Sequence, residues 1–103
     1  KINKDKKMTH TSMAYFSCKE GMGEVLLPAV LEGLTETRAF EGNLSIHTFV
    51  DQDNSDRIIL WEQWATRENY EAYLHWRVET GMIEGLTPFL TEPPQFTHLE
   101  PKD

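Results

Sequence analysis

The chain has 103 residues, a length typical of one domain, with 10 lysines and arginines against 17 aspartates and glutamates and a net charge of −7 at pH 7. Such an acidic chain has no basic stripe to neutralise phosphates, so nucleic acids and anionic membrane surfaces are not expected partners. No apolar run approaches the roughly 20 residues that span a bilayer, and the single cysteine, Cys18, excludes an internal disulfide and favours a reducing, cytoplasmic location.

The first residues differ in composition from the rest. Residues 1–9 are predicted to be an N-terminal extension, and residues 10–103 a single domain. Four lysines fall in the opening KINKDKK, which could be a cloning remnant before a natural start at Met8. KINKDKK is followed by MTHTSM, not by the apolar run of a signal peptide.

A strand and a helix are predicted first. HTSMAYFSCKEG (10–21) is a β-prone run closed by Gly21. GEVLLPAVLEGLTETRAF (23–40) has the apolar spacing of an amphipathic helix. The residues that give this spacing are Leu27, Leu31 and Leu34, with Val30 beside them. Because Pro28 lacks an N–H and clashes with the preceding turn, the helix is expected either to start near Leu27 or to kink there.

A hairpin, a second helix and a last strand follow. In residues 41–64, two β-rich runs flank the polar turn DQDNSD. Thr66 offers an N-cap for a helix that continues to Gly81, and MIEGLTPFL predicts a short broken helical piece. PPQFTHLEP (93–101) is predicted to form a last strand bracketed by prolines, which begins at Pro93 and Pro94. The order β-α-β-β-α-β predicts an α+β, ferredoxin-like fold.

Both faces of the predicted hairpin are apolar. One face carries Leu44, Ile46, Thr48 and Val50 with Ile58, Leu60, Glu62 and Trp64, and the other carries Ser45, His47 and Phe49 with Ile59 and Trp61. Two helices can cover only one face, and exposed Phe49, Ile59 and Trp61 would form an interface-like patch. We therefore expect a symmetric homodimer that buries sheet against sheet. The alternative is that the C-terminal segment crosses this face within one chain.

From about Tyr15 to Leu99 the chain resembles the antibiotic biosynthesis monooxygenase family, because four sequence features occur in the same order and spacing. They are Gly21 opening the first helix, TRAFEGNLS entering the hairpin, ILWEQW with its Glu-x-Trp, and the helix directly after it. The resemblance implies a dimeric α/β barrel made of two βαββαβ chains. Members of the family mostly oxidise electron-rich aromatic rings such as quinols with O₂ and use no metal or flavin. Others cleave haem or isomerise small phosphorylated ketones, so the fold alone does not fix the function.

The resemblance places the pocket between the helices and the sheet. The lining is then expected from the hairpin face Leu44, Ile46, Thr48, Leu60, Glu62 and Trp64, and from the helix stripe Tyr70, Tyr73, Leu74 and Arg77. Oxygenation without a cofactor needs a base to form the substrate anion, which then gives an electron to O₂. The candidate catalytic residues are Tyr73, Glu62 and Tyr70. The candidate substrate-binding residues are Trp64, Thr48, Leu60 and Arg77. No cofactor and no metal is expected, and the partners would be a small aromatic substrate and O₂.

Family positions carry over one at a time. Trp64 matches the tryptophan of the Glu-x-Trp element, and Tyr70 matches a polar pocket tyrosine of one polyketide-oxidising branch, which has an asparagine where this chain has Leu60. Position 73 is often histidine in the quinol-oxidising branch and tryptophan in the haem-degrading branch, whereas here it is Tyr73. The haem-degrading branch also has an asparagine on the first strand, and none occurs between residues 11 and 18. Haem degradation is therefore not expected.

Each candidate residue also has a structural interpretation. Trp64, Tyr70 and Tyr73 could be core packing, and Glu62 could form a structural ion pair, with Arg77 as a candidate partner. The remaining polar candidates are predicted as follows: His47 at the interface, His75 exposed, His10 and His98 alone in strands without metal-ligand spacing, and Cys18 buried. Three functions stay open. They are a cofactor-independent monooxygenase, a non-oxidative isomerase or cyclase of the same fold, and a non-catalytic dimeric binding protein.

Overall fold

A computed structural model describes residues 9–103 of the chain. The helices and strands are β1 (His10–Ser17), α1 (Met22–Ala39), β2 (Asn43–Asp51), β3 (Asn54–Trp64), α2 (Arg67–Glu79), α3 (Met82–Leu86), a 3-10 turn (Thr87–Phe89) and β4 (Gln95–Leu99). The predicted domain extends over this region, and its proposed extension lies almost entirely outside the described residues.

The four strands form one antiparallel sheet in the order β2-β3-β1-β4. This order, with α1 and α2 in the two crossovers, is the ferredoxin-like α+β fold that the sequence predicts. One face of the sheet is buried by the helices, and its apolar core includes Phe16, Ile58, Val30 and Leu86. A second cluster, made of Trp64, Tyr70 and Tyr73, fills the opposite end of the same face.

The first helix starts earlier than predicted. It begins at Met22, after Gly21 at φ 79°, and passes through Pro28, so the prediction of a start near Leu27 is wrong. The reason is a cap from outside the helix: the carboxylate of Asp56 accepts from the backbone N–H of Gly21 at 3.1 Å and of Gly23 at 2.9 Å. A carboxylate at a helix N-terminus satisfies unpaired N–H groups and the helix dipole.

The buried stripe of α1 is also shifted from the predicted one. Leu26, Val30 and Leu34 face the sheet, whereas Leu31 is 48% exposed. Leu26, Val30 and Leu34 follow one another at four-residue intervals, which also fit one helical face, so the apolar pattern of this leucine-rich segment did not distinguish the two stripes.

Gly23 has a packing role that can be tested. A Cβ there would overlap the backbone oxygen of Ser55 and lie 2.7 Å from the Cα of Asp56. Alanine normally favours a helix over glycine by up to about 1 kcal/mol, but we expect Gly23→Ala to lower the free energy of unfolding by about 1–3 kcal/mol, since this overlap forces the backbones apart. Urea denaturation measures the change. Gly85→Ala is the control, because a Cβ at that helical position meets nothing within 4 Å, and a similar loss there would contradict the prediction.

The predicted hairpin is confirmed, with two irregularities in its pairing, one between Asn43 and Ser45 and one between Val50 and Asp51. Its turn is only Gln52 and Asp53, because both strands extend into the polar segment. A bulge lies between Asn43 and Ser45 in the pairing of β2 with β3. Leu44 sits in this bulge and is 58% exposed, so the prediction that it lines the helix face beside Ile46 is wrong. A bulge adds one residue to a strand and breaks the alternation there.

The other face of the sheet stays open in the single chain. Phe49 is 55% exposed and Trp61 is 39% exposed on that face. The C-terminal strand β4 pairs with β1 at the edge of the sheet, so the alternative in which the C-terminal segment covers this face is wrong. Within residues 9–103, no helix combines the length and the apolar character needed to cross a membrane.

Candidate functional site

The candidate site centres on the carboxyl group of Glu62. The alternation of β3 turns Glu62 and Trp64 toward the helices, and the side chain of Glu62 is almost fully buried, with 2% of the residue exposed. The indole Nε1 of Trp64 donates to Oε1 of Glu62 at 2.9 Å. Ser12 of β1 and Ile46 of β2 lie directly opposite Glu62.

The environment of Glu62 changes its acidity. Burial raises the pKa of this carboxyl to about 7, although the hydrogen bond from Trp64 favours the charged form. A carboxyl that titrates near neutral pH can both accept and return a proton, which is the property of a general acid or base. Perturbed carboxyls also occur in structural networks, but those have a compensating cation.

The expected partner of Glu62 does not face it. Arg77 is buried between α1 and α2, where it makes four hydrogen bonds, so the interpretation that makes it the partner of Glu62 is wrong. The acceptors are Tyr73 Oη at 2.8 Å, Gly33 O at 2.9 Å, Glu36 Oε1 at 3.0 Å and Thr37 Oγ1 at 3.1 Å. The guanidinium group also lies 4.6 Å from the centre of the Trp76 ring. Arg77 therefore ties the two helices together and fixes Tyr73.

Aromatic rings surround the carboxyl, as the sequence predicts. The ring centres of Trp64 and Tyr73 are 5.0 Å apart, and those of Trp64 and Tyr70 are 5.7 Å apart. Trp64 and Tyr70 are fully buried, and Tyr73 nearly so. Burial, and to a lesser degree the charge of Glu62, raises the pKa of Tyr70 well above its usual range. Tyr70 is therefore a neutral hydroxyl at physiological pH.

Three buried hydroxyl groups on this face make no hydrogen bond of normal geometry within the described residues. They belong to Ser12, Thr48 and Tyr70. Ser12 lies close enough to Tyr70 to lower its pKa slightly. A buried hydroxyl without a partner costs about 1–3 kcal/mol, so a polar ligand that reached these three groups would satisfy them. Of the other predicted lining residues, Leu60 is half-buried and packs on the apolar core.

The two tyrosines offer a matched comparison. We expect Tyr70→Phe to leave the free energy of unfolding unchanged or to raise it by up to about 1 kcal/mol, because it removes a hydroxyl without a partner. Tyr73→Phe should lower it by about 1–3 kcal/mol, because its hydroxyl bonds to Thr37 Oγ1 at 2.7 Å and accepts from Arg77. Urea denaturation measures both. Equal losses in the two variants would show that the hydroxyl of Tyr70 is satisfied after all.

The structure places two histidines in contact that the sequence predicts to stand alone in their strands. His10 Nε2 and His98 Nδ1 are 2.8 Å apart, and their rings lie 5.7 Å and 5.5 Å from the ring of Tyr70. Burial, and then the charges of His98 and Arg67, lower the pKa of His10. No sequence motif could reveal this pair, because 88 residues separate the two histidines along the chain. Only the pairing of β1 with β4 brings them together. His75, as predicted, is exposed, and it pairs with Glu79 at 3.0 Å.

A cleft of about 530 Å³ opens at the histidine pair. Its lining residues are Thr9, His10, Arg67, His98, Leu99, Glu100 and Pro101. A second groove, of about 600 Å³, lies between α1 and α3 with Arg77 at one end. Glu62 lines neither, because the rings of Trp64 and Tyr70 occupy the space between the sheet and the helices that the sequence assigns to a substrate. Access to Glu62 therefore requires movement of these rings.

Metal ligation is a separate question. Across residues 9–103, no three His, Cys, Asp or Glu side chains are grouped closely enough to hold a metal ion.

The Cys18 thiol is buried, as predicted, and burial together with the nearby Asp56 raises its pKa, which keeps it in the unreactive thiol form.

Comparison with known proteins was made for both sequence and structure. Residues 9–77 match the sequence profile of the family described as antibiotic biosynthesis monooxygenase. We found no significant match among curated proteins.

Several solved structures have a similar fold. A conserved protein from Methanosarcina mazei Go1 superposes with a TM-score of 0.83 at 12% identity, over 97% of this chain and 99% of that one. The Rv0793 protein from Mycobacterium tuberculosis has a TM-score of 0.69 at 24% identity, over 92% and 96%. A monooxygenase from Streptomyces coelicolor, solved in complex with nanaomycin D, has a TM-score of 0.76 at 19% identity, over 97% and 93%. At these identities the likeness concerns the fold.

Proposed function

The chain belongs to the antibiotic biosynthesis monooxygenase family, and from that premise we propose that it is a cofactor-independent monooxygenase that oxidises a quinol-like or polycyclic aromatic small molecule with O₂. The single observation that carries the proposal is Glu62, a buried carboxyl with a pKa of about 7 and no facing cation among residues 9–103. It shares the helix-covered face of the sheet with three buried hydroxyls that make no hydrogen bond among the described residues, and it contacts Trp64, whose ring packs on Tyr73. A base of this acidity, next to flat apolar surfaces, suits a phenolic substrate.

The proposed reaction begins with removal of a proton. Glu62 accepts it from the substrate, and the resulting anion is held by the hydroxyls of Ser12, Thr48 and Tyr70 as hydrogen-bond donors. The anion gives electrons to O₂, and the partly reduced oxygen then bonds to the substrate carbon from which the proton was removed. For a CH₂ group between two aromatic rings, one oxygen atom becomes the carbonyl oxygen, and the other leaves as water with the two hydrogens. The substrate thus supplies all the electrons.

Oxygen uptake is the direct test. The purified protein is incubated with a panel of quinols, catechols and anthrones, and with nanaomycin D as a first binding probe, since the similar Streptomyces coelicolor protein holds that ligand. We expect one O₂ consumed per product formed, with one oxygen atom from ¹⁸O₂ in the product. Uptake equal to that of buffer across the panel would overturn the proposal. Conversion without uptake would instead indicate an isomerase or cyclase, and binding without turnover a binding protein.

The site is proposed to work in a homodimer. The exposed side chains of Phe49 and Trp61 on the open sheet face form the kind of patch that marks an interface. We expect Trp61→Glu to weaken the dimer by at least about 2 kcal/mol, or about thirtyfold in Kd, because a charge would be buried at the centre of the contact. Sedimentation velocity measures this. Val78→Glu is the control, since Val78 is 60% exposed on α2, away from the sheet. A wild-type monomer at micromolar concentration would contradict the prediction.

A further inference from the structure

One row of side chains crosses the sheet from its centre to its edge. Glu62 of β3 lies opposite Ser12 of β1, and Ser12 lies opposite His98 of β4. All three are on the face that the helices cover. Glu62 and Ser12 are almost completely buried, whereas His98 is exposed. The row therefore joins the buried carboxyl to the surface in two steps.

The row continues into the cleft. His98 Nδ1 lies 2.8 Å from His10 Nε2, and both histidines line the cleft that opens to solvent. Arg67, Glu71 and Glu68 are the other charged groups that act on His10. Around Glu62, the facing polar groups are the indole of Trp64 and the phenol of Tyr70.

We propose that Ser12, His98 and His10 form a proton route between the carboxyl of Glu62 and the solvent-filled cleft. The inference rests on the proposed function, because a buried base that takes a proton from each substrate must release it before the next turnover. His98 and His10 touch no substrate in this scheme and act only through Ser12 and Glu62, so they are positioning residues, whereas Ser12 also donates to the substrate anion.

The transfer is a series of proton hops in which no other bond changes. The carboxylic acid of Glu62 gives its proton to Ser12 Oγ as the Ser12 hydroxyl gives its own to His98 Nε2. His98 Nδ1 passes a proton to His10 Nε2, and His10 Nδ1 releases one to water. A hydroxyl can donate and accept together, and a neutral imidazole has one donor and one acceptor nitrogen. Opposite residues of antiparallel strands have Cβ atoms about 4.5–5.5 Å apart, a span that a rotated hydroxyl or one bridging water can close.

The helix side of Glu62 gives its proton no direct path to solvent. Trp64 and Tyr70 cover Glu62 on the helix side and are fully buried, and indole is a donor without an acceptor. The raised pKa of Tyr70 keeps its phenol protonated. Ser12 Oγ, in contrast, is buried and makes no hydrogen bond of normal geometry among the described residues, although it lies close enough to Tyr70 to lower the pKa of that phenol. Its hydroxyl is therefore held by neither Glu62 nor His98 and can turn toward either.

The test measures the proton on Glu62 directly. The carboxylic acid C=O infrared band that Glu62→Gln removes identifies the group, and its decay is followed after a jump from about pH 5 to about pH 9, across its pKa of about 7. We expect Ser12→Ala and His98→Gln to slow this decay at least about tenfold, with the position of the band unchanged. Free imidazole should restore the rate in His98→Gln. Because no substrate is present, this result is independent of oxygenation.

Matched controls separate the route from general damage. His75→Gln replaces an exposed helical histidine, and Ser45→Ala replaces a serine of β2 whose neighbour in the register is Gln63 rather than Glu62. In both control variants Glu62 should lose its proton at the wild-type rate. An unchanged rate in both Ser12→Ala and His98→Gln would overturn the inference. Slowed deprotonation without any oxygen uptake would support the route while refuting the proposed reaction.

Discussion

Replacing Glu62 by glutamine is expected to lower kcat about 10²–10⁴-fold with little change in KM, since an amide keeps the shape of the group and cannot take a proton. The oxygen of the new amide can still accept from the indole of Trp64, which donates to Glu62 at 2.9 Å. Steady-state oxygen uptake with the best substrate of the panel measures the effect. Glu68→Gln, which removes an exposed carboxylate of α2, is the control. A variant with more than about a tenth of wild-type activity would show that another group is the base.

The same substitution has a distinct effect on stability. The pKa of Glu62 rises from 4.5 to about 7 on folding, so between these values the native state holds a proton that the unfolded chain has lost. The free energy of unfolding should therefore fall as pH rises from about 4.5 to about 7, by roughly 3 kcal/mol at most, and then level off. Urea denaturation at several pH values measures this. In Glu62→Gln the free energy of unfolding should no longer fall between these pH values. If it still fell, another group would be responsible for the titration.

Replacing Arg77 by methionine is expected to lower the free energy of unfolding by about 3–5 kcal/mol, the largest stability effect predicted for this chain. Arg77 is 5% exposed and makes hydrogen bonds to four different groups of α1 and α2. Methionine fills much of the volume but donates to none of them, so Gly33 O and the hydroxyl of Tyr73 each lose one of their hydrogen bonds and keep only those to other groups such as Thr37. Urea denaturation at neutral pH gives the difference.

Substitutions at Glu36 and at Arg77, the two members of the ion pair, show which contacts of Arg77 contribute to stability. The side chain of Glu36 is 64% exposed, so Glu36→Gln should cost less than about 1 kcal/mol, as exposed ion pairs generally do. Arg77→Lys should lose most of the stability that methionine loses, because an ammonium group cannot reproduce the planar fork. A loss below about 1 kcal/mol in Arg77→Met would mean that water replaces the guanidinium contacts.

Much of the candidate site is predictable because it depends on local periodicity. Alternation in β3 is enough to place Glu62 and Trp64 on one face, and the 3.6-residue repeat of α2 is enough to place Tyr70, Tyr73 and Arg77 together. Their burial confirms both predictions. The cap at Thr66 is equally local: its hydroxyl accepts from the N–H of Asn69 at 3.0 Å.

Apart from the buried stripe of α1, whose local pattern is ambiguous, the failed predictions depended on distant parts of the chain. The start of α1 is set by Asp56, more than 30 residues away, and the bulge at Leu44 depends on how β2 pairs with β3. The sequence makes Arg77 a candidate partner of Glu62 because both lie on the predicted pocket faces, but it does not show which acceptor lies nearer. The acceptors come from α1.

The sequence by itself determined the order of the elements, the two-sided hairpin and the residues that surround Glu62, since these follow from repeats of two and 3.6 residues along neighbouring positions. Only the tertiary structure decided which polar groups meet. It separated Arg77 from Glu62, left three hydroxyls without partners among the described residues and brought His10 to His98. Hydrogen bonds act over about 3 Å, and no pattern along the chain specifies distances that short between residues that are far apart in sequence.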